Sequence, residues 1–393
     1  MRRLAPLLLG VAALVLTAAA GEALLRRLDP PPPLFYEPDP DALYRLRSGA
    51  RARYHYPWLP PGVEVDVSIN SRGFRGAELP AHKAGRRVAV YGDSFVEARS
   101  TRIEDTFAAR LEGVLRGRRR APLDVVNAGV TGYGPDQVLA RLERDLGLLD
   151  PDLLIVVLYA GNDFGDVVRD GLYRLDARGR LQQSRPSLAE PLRAAFAPPH
   201  GWRALALARA ASRLRAAVRA GSAAAAAQQA SSTEALLDEC HREYDESLRP
   251  AVVVTNLFRD HYDADVSVLP RSYSAAYKRD LMAAILAELG RVARARSMPL
   301  LLVAVPAGSD ISEADPHRVD AARFPEYRPQ ALTDTLDAAA RAAGLPLVNL
   351  FDPFRARQPA PLYYPLDGHW NTAAQALAAD LVADRIDAEG LLR

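Results

Sequence analysis

From Arg86 onward the apolar positions fall into two alternating patterns. Short continuous apolar runs (RVAVY, LDVVN, LLIVVLY, PLLLVAV, LPLVNL) read as strands buried on both faces. Between them, TFAARLEGVLRG, PDQVLARLERDLGLL, YKRDLMAAILAELGRVARARS and ALTDTLDAAARAAG carry apolar residues at helical spacing. A last helix is expected over TAAQALAADLVADRI. Strands alternating with helices at this interval predict an α/β fold, a three-layer doubly wound parallel sheet. The alternation breaks between about 165 and 250. There an Ala- and Arg-rich stretch (202–230) has helical spacing and no strand, which predicts a helical insertion, either a cleft wall or a surface excursion.

Ahead of this domain the pattern differs. VEVDVSI alternates apolar and polar residues and NSRGFRG supplies a turn, so residues 42–82 read as a small β segment. DPPPPLFYEPDPD (29–41) is too rich in proline for a regular helix and reads as a stiff spacer. Arg2 and Arg3 precede a stretch without charge from Leu4 to Gly21, the pattern of a secretory signal or an uncleaved membrane anchor. Apolar character resumes in ALLRRL after Glu22, which favours the anchor, with the rest of the chain exported. The expected organisation is therefore 1–28 anchor or signal, 29–85 spacer and β segment, and 86–393 the main domain.

Composition narrows the function classes. With 50 basic and 48 acidic residues the formal charge is +2, which favours neither nucleic acid nor an acidic partner. The run RGRRR (116–120) reads as the solvated end of a helix. The single cysteine, Cys240, excludes an intramolecular disulfide and has no motif around it.

The candidate chemistry sits just past the strand ends, where open α/β sheets bind their ligands. The first strand is followed by Gly92-Asp93-Ser94, the second by Asn127-Ala128-Gly129-Val130-Thr131-Gly132, the third by Gly161-Asn162-Asp163. Asp367-Gly368-His369-Trp370-Asn371 immediately precedes the last helix. Each alone suits an ordinary turn; four in this order point to one site. A serine hydroxyl becomes a nucleophile when a neighbouring imidazole takes its proton, and a carboxylate orients that imidazole and stabilises its cation. Ser94, His369 and Asp367 are residues of those types. A main-chain N–H at Gly132, the Asn162 amide and the Ser94 N–H are suitable donors to a tetrahedral oxyanion. No GxSxG elbow surrounds Ser94.

This set resembles the SGNH (GDSL-type) hydrolase superfamily over about residues 86–393, excepting the insertion. The resemblance implies a nucleophile at Ser94, an oxyanion hole from Gly132 and Asn162, and an acid–base pair at Asp367 and His369. Most members space acid and histidine as DxxH; here the spacing is DxH, with Leu366 three residues before His369. The shorter DGHWN form is similar to that of exported members acting on acyl groups of bacterial polysaccharides, including alginate-acetylation-type proteins. NSRGFR is similar to a segment preceding the catalytic domain in exported relatives, although Arg72 and Arg75 fit surface charges equally well.

Of the remaining histidines, His261 lies in RDHYDAD, which reads as a solvated loop in preference to a metal site. His55, His82, His200, His241 and His317 have no partners in sequence. Asn371 and Thr372 are expected to cap the last helix, Trp370 to pack behind the triad, and Asp163 to bond nearby backbone. The expected function is a membrane-anchored, extracytoplasmic serine esterase acting on O-acyl groups of a carbohydrate or other small ester, without cofactor, metal or nucleic acid. The alternatives are O-acyl transfer to an envelope or exported polysaccharide, and a catalytically dead polysaccharide-binding or assembly protein.

Overall fold

The computed structural model describes residues 4–28, 34–56, 59–60, 63–80, 82–196, 232–249, 252–258, 261–313, 315, 317–358, 361–364 and 367–392. Five parallel strands form the central sheet: β5 (Arg86–Tyr91), β6 (Leu123–Asn127), β7 (Leu153–Tyr159), β12 (Leu300–Val305) and β13 (Leu347–Asn349). They lie in the order β13-β12-β7-β5-β6. The chain therefore winds one way from β5 to β6 and the other way from β7 to β13. The reversal leaves a crevice between the carboxyl ends of β5 and β7, the switch point at which such sheets bind ligands.

Both faces of the sheet are covered, which explains the unbroken apolar runs. On β7, Leu154, Val156 and Leu158 pack with α4 (Pro135–Leu149) and with the helices Tyr273–Ala295 and Ala331–Ala342. Leu153, Ile155 and Val157 on the opposite face pack with α3 (Phe107–Arg119) and the final helix Thr372–Glu389. Asn371 caps that final helix, accepting from the N–H groups of Ala373 and Ala374. Arg118 and Arg119 of the basic run extend from α3 to Asp384 and Asp387 on it.

The N-terminal β segment consists of two antiparallel pairs, β1 (Tyr36–Asp39) with β2 (Leu43–Leu46) and β3 (Arg51–His55) with β4 (Glu64–Ser68). Its apolar side is not independent of the main domain. Phe35, Tyr44, Leu46, Val65, Val67 and Ile69 form one buried cluster with Val130 and Tyr133 of the loop after β6. Leu188, Val254 and Leu257 complete that cluster from beyond the third strand.

Two expectations change here. The insertion is not purely helical: after α5 (Asp163–Asp170) come an antiparallel hairpin, β8 (Tyr173–Leu175) with β9 (Leu181–Gln183), and a parallel pair, β10 (Ser187–Leu188) with β11 (Val253–Val254). Short strands escaped detection because two or three residues carry no readable period. The Ala- and Arg-rich part, 202–230, lies outside the described residues. At the N-terminus, α1 (Leu4–Leu28) is a helix, as the uncharged run suggests. Among the described residues no helix is long and apolar enough to cross a membrane.

Candidate active site

Ser94 opens the short helix α2 (Ser94–Glu97) directly after β5. The turn requires a glycine at 92: a Cβ there would lie 2.6 Å from the Val96 side chain and 3.0 Å from the Val157 carbonyl oxygen. Asp93 caps α2, its carboxylate accepting from the Phe95 N–H at 2.8 Å. The Ser94 hydroxyl is therefore placed by backbone at the β5 side of the switch point.

The tail brings the base. His369 Nε2 lies 2.7 Å from Ser94 Oγ. His369 Nδ1 lies 3.0 Å from Asp367 Oδ2, so the two ring nitrogens face the hydroxyl and the carboxylate separately. The DxH spacing works because the chain turns between the two residues, with Gly368 at φ +74° and its N–H donating to the Tyr364 carbonyl at 2.9 Å. The loop is then fixed by Trp370, which is buried and donates from Nε1 to the Phe95 carbonyl at 2.9 Å. Packing behind the triad is thus the role of Trp370. Phe95 also stacks on Tyr159 at 4.0 Å and meets the His369 ring at 5.0 Å, so the residue after Ser94 braces the imidazole.

The other two motif loops flank this centre. Val130 N–H donates to the Gly92 carbonyl at 3.0 Å, which draws the loop carrying Gly132 to the end of β5. Gly132 is left-handed at φ +78°. Asn162 is buried at the end of β7 as the residue preceding α5, beside the same crevice. Ser94 Oγ and Asp367 Oδ2 thus lie at 2.7 Å and 3.0 Å from opposite ring nitrogens of His369, and Gly132 and Asn162 lie on the two adjoining strand-end loops.

Several supporting residues were not visible in sequence. Glu97 is buried, and its Oε2 accepts from the Thr131 N–H at 2.6 Å and the Tyr36 hydroxyl at 3.2 Å. Ser100 lies beside the triad acid, its hydroxyl 3.4 Å from Asp367 Oδ2. Arg75, which reads in sequence as a possible surface charge, is instead buried under α2, donating to the main-chain oxygens of Glu97, Ala98 and Thr101. It pairs with carbonyls that the end of a short helix leaves unsatisfied. A lone Arg in a turn gives no signal of this, because its partners are backbone atoms over twenty residues away.

His261 is likewise not in a solvated loop. Its Nε2 is 3.0 Å from Glu243 Oε1 and both side chains are largely buried. Burial works against the charged imidazole, yet hydrogen bonding to Cys240 and Glu243 carries His261 up to about 10. Burial likewise opposes the Glu243 carboxylate, but His261 and Arg169 hold it down at about 2. Two groups here have metal-ligand atoms within 4.8 Å of one another: Glu239, Glu243 and His261, and Cys240, Asp263 and Asp265. The chain supplies its own cation to each. Arg169 is 3.1 Å from Glu243, and Lys278 Nζ sits 2.8 Å and 3.0 Å from Asp263 and Asp265.

A parallel α/β sheet with Ser, His and Asp side chains gathered at its switch point has the arrangement that acyl chemistry at a serine needs, without a nucleophile elbow. The family described as SGNH hydrolase-like domain, acetyltransferase AlgX, matches residues 257–393. Over those residues the chain is similar to SGNH hydrolase-like domains. The match holds Asp367 and His369, while Ser94, Gly132 and Asn162 lie ahead of it. Among solved structures, the chain is similar to LAE5, described as an alpha/beta hydrolase enzyme from the metagenome of Lake Arreo, Spain, at 16% identity and TM-score 0.38 over 79% of this chain and 98% of that one. TesA is similar at 17% identity and TM-score 0.38, over 78% of this chain and 100% of that one. Axe2, an acetylxylan esterase from Geobacillus stearothermophilus, is similar at 14% identity and TM-score 0.36, over 78% and 96%. No curated protein matches the chain.

Proposed function

We propose that the protein is a serine esterase that removes small acyl groups from oxygen through an acyl-Ser94 intermediate. The observation that carries this is the pair of contacts on His369: Ser94 Oγ at 2.7 Å on one ring nitrogen and Asp367 Oδ2 at 3.0 Å on the other. In the first step Ser94 Oγ bonds to the ester carbonyl carbon while His369 Nε2 takes the hydroxyl proton. The carbonyl oxygen becomes an oxyanion, held by the Gly132 N–H and the Asn162 amide. The tetrahedral intermediate then expels the alcohol oxygen, which leaves with the proton from His369, and Asp367 stabilises the imidazolium between the two transfers. In the second step water, deprotonated by His369, attacks the acyl-serine and releases the acid.

A second reading, acyl transfer, uses the same relay with a saccharide hydroxyl in place of water. It is supported by the match of residues 257–393 to a family named for an acetyltransferase. Placement of the domain outside the cytoplasm rests on sequence: Arg2 and Arg3, then no charge from Leu4 to Gly21. Localisation of a tagged full-length chain by membrane fractionation and protease accessibility tests it.

The test of the chemistry is labelling by a fluorophosphonate probe together with turnover of 4-nitrophenyl acetate. Wild-type protein is expected to be labelled at Ser94 and to release nitrophenol, and Ser94→Ala to do neither. Labelling that persists in Ser94→Ala removes both readings, and its absence from the wild type leaves the inactive binding protein. With an oligosaccharide acceptor present, acyl groups on the sugar favour transfer and free acid favours hydrolysis.

A further inference from the structure

We propose that Tyr44, on β2 of the N-terminal segment, is a positioning residue for the oxyanion hole: its hydroxyl fixes the peptide whose N–H belongs to Gly132. The inference rests on the reading of Gly132 as an oxyanion donor. Tyr44 Oη donates to the Thr131 carbonyl at 2.6 Å. That carbonyl and the Gly132 N–H belong to one peptide unit, which is planar and trans, so the two groups point in opposite directions. A hydroxyl bound to the carbonyl end therefore sets where the N–H end points. It also draws electron density toward the carbonyl oxygen, which makes the N–H a stronger donor. A positioned donor is worth more to an oxyanion than one that must reorient during the reaction.

The surroundings make Tyr44 a rigid support. Its side chain is fully buried. The ring packs edge-on against Tyr133 at 5.2 Å and stacks on Phe196 at 5.8 Å, with Tyr36 at 5.7 Å and Phe258 at 5.5 Å. The Tyr133 hydroxyl donates to the main-chain carbonyl of Tyr44 itself. Burial pushes the Tyr44 hydroxyl well above its ordinary pKa, so it carries its proton, and can donate, throughout the working range. Gly132 completes the fit: a Cβ there would lie 2.5 Å from the Leu257 carbonyl oxygen and 2.8 Å from Tyr44 Oη. On the preceding peptide, the Thr131 N–H is held by Glu97 at 2.6 Å. The loop is thus gripped from the nucleophile's own helix on one side and from the N-terminal segment on the other.

The experiment compares wild type with Tyr44→Phe on 4-nitrophenyl acetate and on its thionoacetate analogue, whose sulfur accepts N–H bonds poorly. Because the donor is loosened and not deleted, kcat on the oxygen ester is expected to fall about tenfold, less than when a donor is removed. KM should stay close to the wild-type value, and the oxygen-to-sulfur rate ratio should fall by the same factor as kcat. A merely structural role leaves that ratio unchanged. An unchanged ratio, or kcat and KM moving together, overturns the inference while fluorophosphonate labelling of wild-type Ser94 keeps the enzymatic reading intact. A wild type that is not labelled overturns both. Should Tyr44→Phe fail to fold, Tyr133→Phe, which frees the Tyr44 main chain, is read by the same ratio: a drop supports the inference and no change overturns it.

Discussion

Ser94 and His369 stand 275 positions apart in sequence and 2.7 Å apart in space, and on the proposed reading Asp367 sets the state of the imidazole between them. With its carboxylate 3.0 Å from Nδ1, the neutral imidazole keeps its proton on that nitrogen and offers Nε2 as a base. Asp367→Asn preserves shape but lets the amide donate to Nδ1, which moves the proton onto Nε2 and blocks the base. We expect kcat on 4-nitrophenyl acetate to fall by about a thousandfold or more, with KM little changed. Steady-state kinetics on the purified variant checks this. A loss smaller than about tenfold would show that Asp367 is not the partner that sets the tautomer. The residue types were legible from the motif loops; Ser100 and Glu97 were not, because nothing in a lone Ser or Glu reveals which loop it will face.

At the scale of elements, the helix Thr233–Ser247 is pinned to α5 and to the loop before Ala264 by ion pairs. Glu243 sits 3.0 Å from His261 and 3.1 Å from Arg169. The pH dependence of this clamp follows from the direction of the shifts. His261 is raised from 6.5 to about 10 by folding, so its contribution is complete below about 6.5 and disappears as pH rises through about 10. Glu243 is lowered from 4.5 to about 2, so its part is complete above about 4.5 and is lost as pH falls through about 2. Stability to urea of wild type and His261→Gln should therefore differ by a few kcal/mol near pH 6, at about 1.4 kcal/mol per pKa unit, and converge toward pH 10. A difference independent of pH would mean that His261 acts by packing alone. RDHYDAD looks solvated in sequence because its compensating partners, Glu243 and Lys278, come from other helices.

Across the whole molecule, the N-terminal β segment packs directly on the loops of the candidate site. Phe35, Tyr44, Leu46, Val65, Val67 and Ile69 cover Val130 and Tyr133 of the Gly132 loop, and Arg75 closes the end of α2 from beneath. A chain beginning at residue 86 retains Ser94, Gly132, Asn162, Asp367 and His369 but exposes that cluster. Burying each such side chain contributes about 1.5–3 kcal/mol, so losing six is comparable with the entire stability of a domain. We expect the truncated chain to lose its cooperative thermal transition and its fluorophosphonate labelling at Ser94, whereas a chain beginning at residue 34 keeps both. Full labelling of the shorter chain would show the segment to be dispensable.

The sequence by itself determined the parallel α/β class and the positions of Ser94, Asn162, Asp367 and His369 just past elements it could predict. Those are local properties: a strand buried on both faces must be continuously apolar, and the sharp turns after such strands need Gly, Asn or Asp. Tertiary structure alone decided the strand order that opens a crevice between β5 and β7, and the approach of the tail to that crevice. It alone converted Arg75 and His261 from apparent surface residues into buried clamps. Likewise it placed Tyr44 and Glu97 on either side of Thr131. Such pairings depend on which distant surfaces exclude water together, and a residue's own neighbours in the chain carry no record of that.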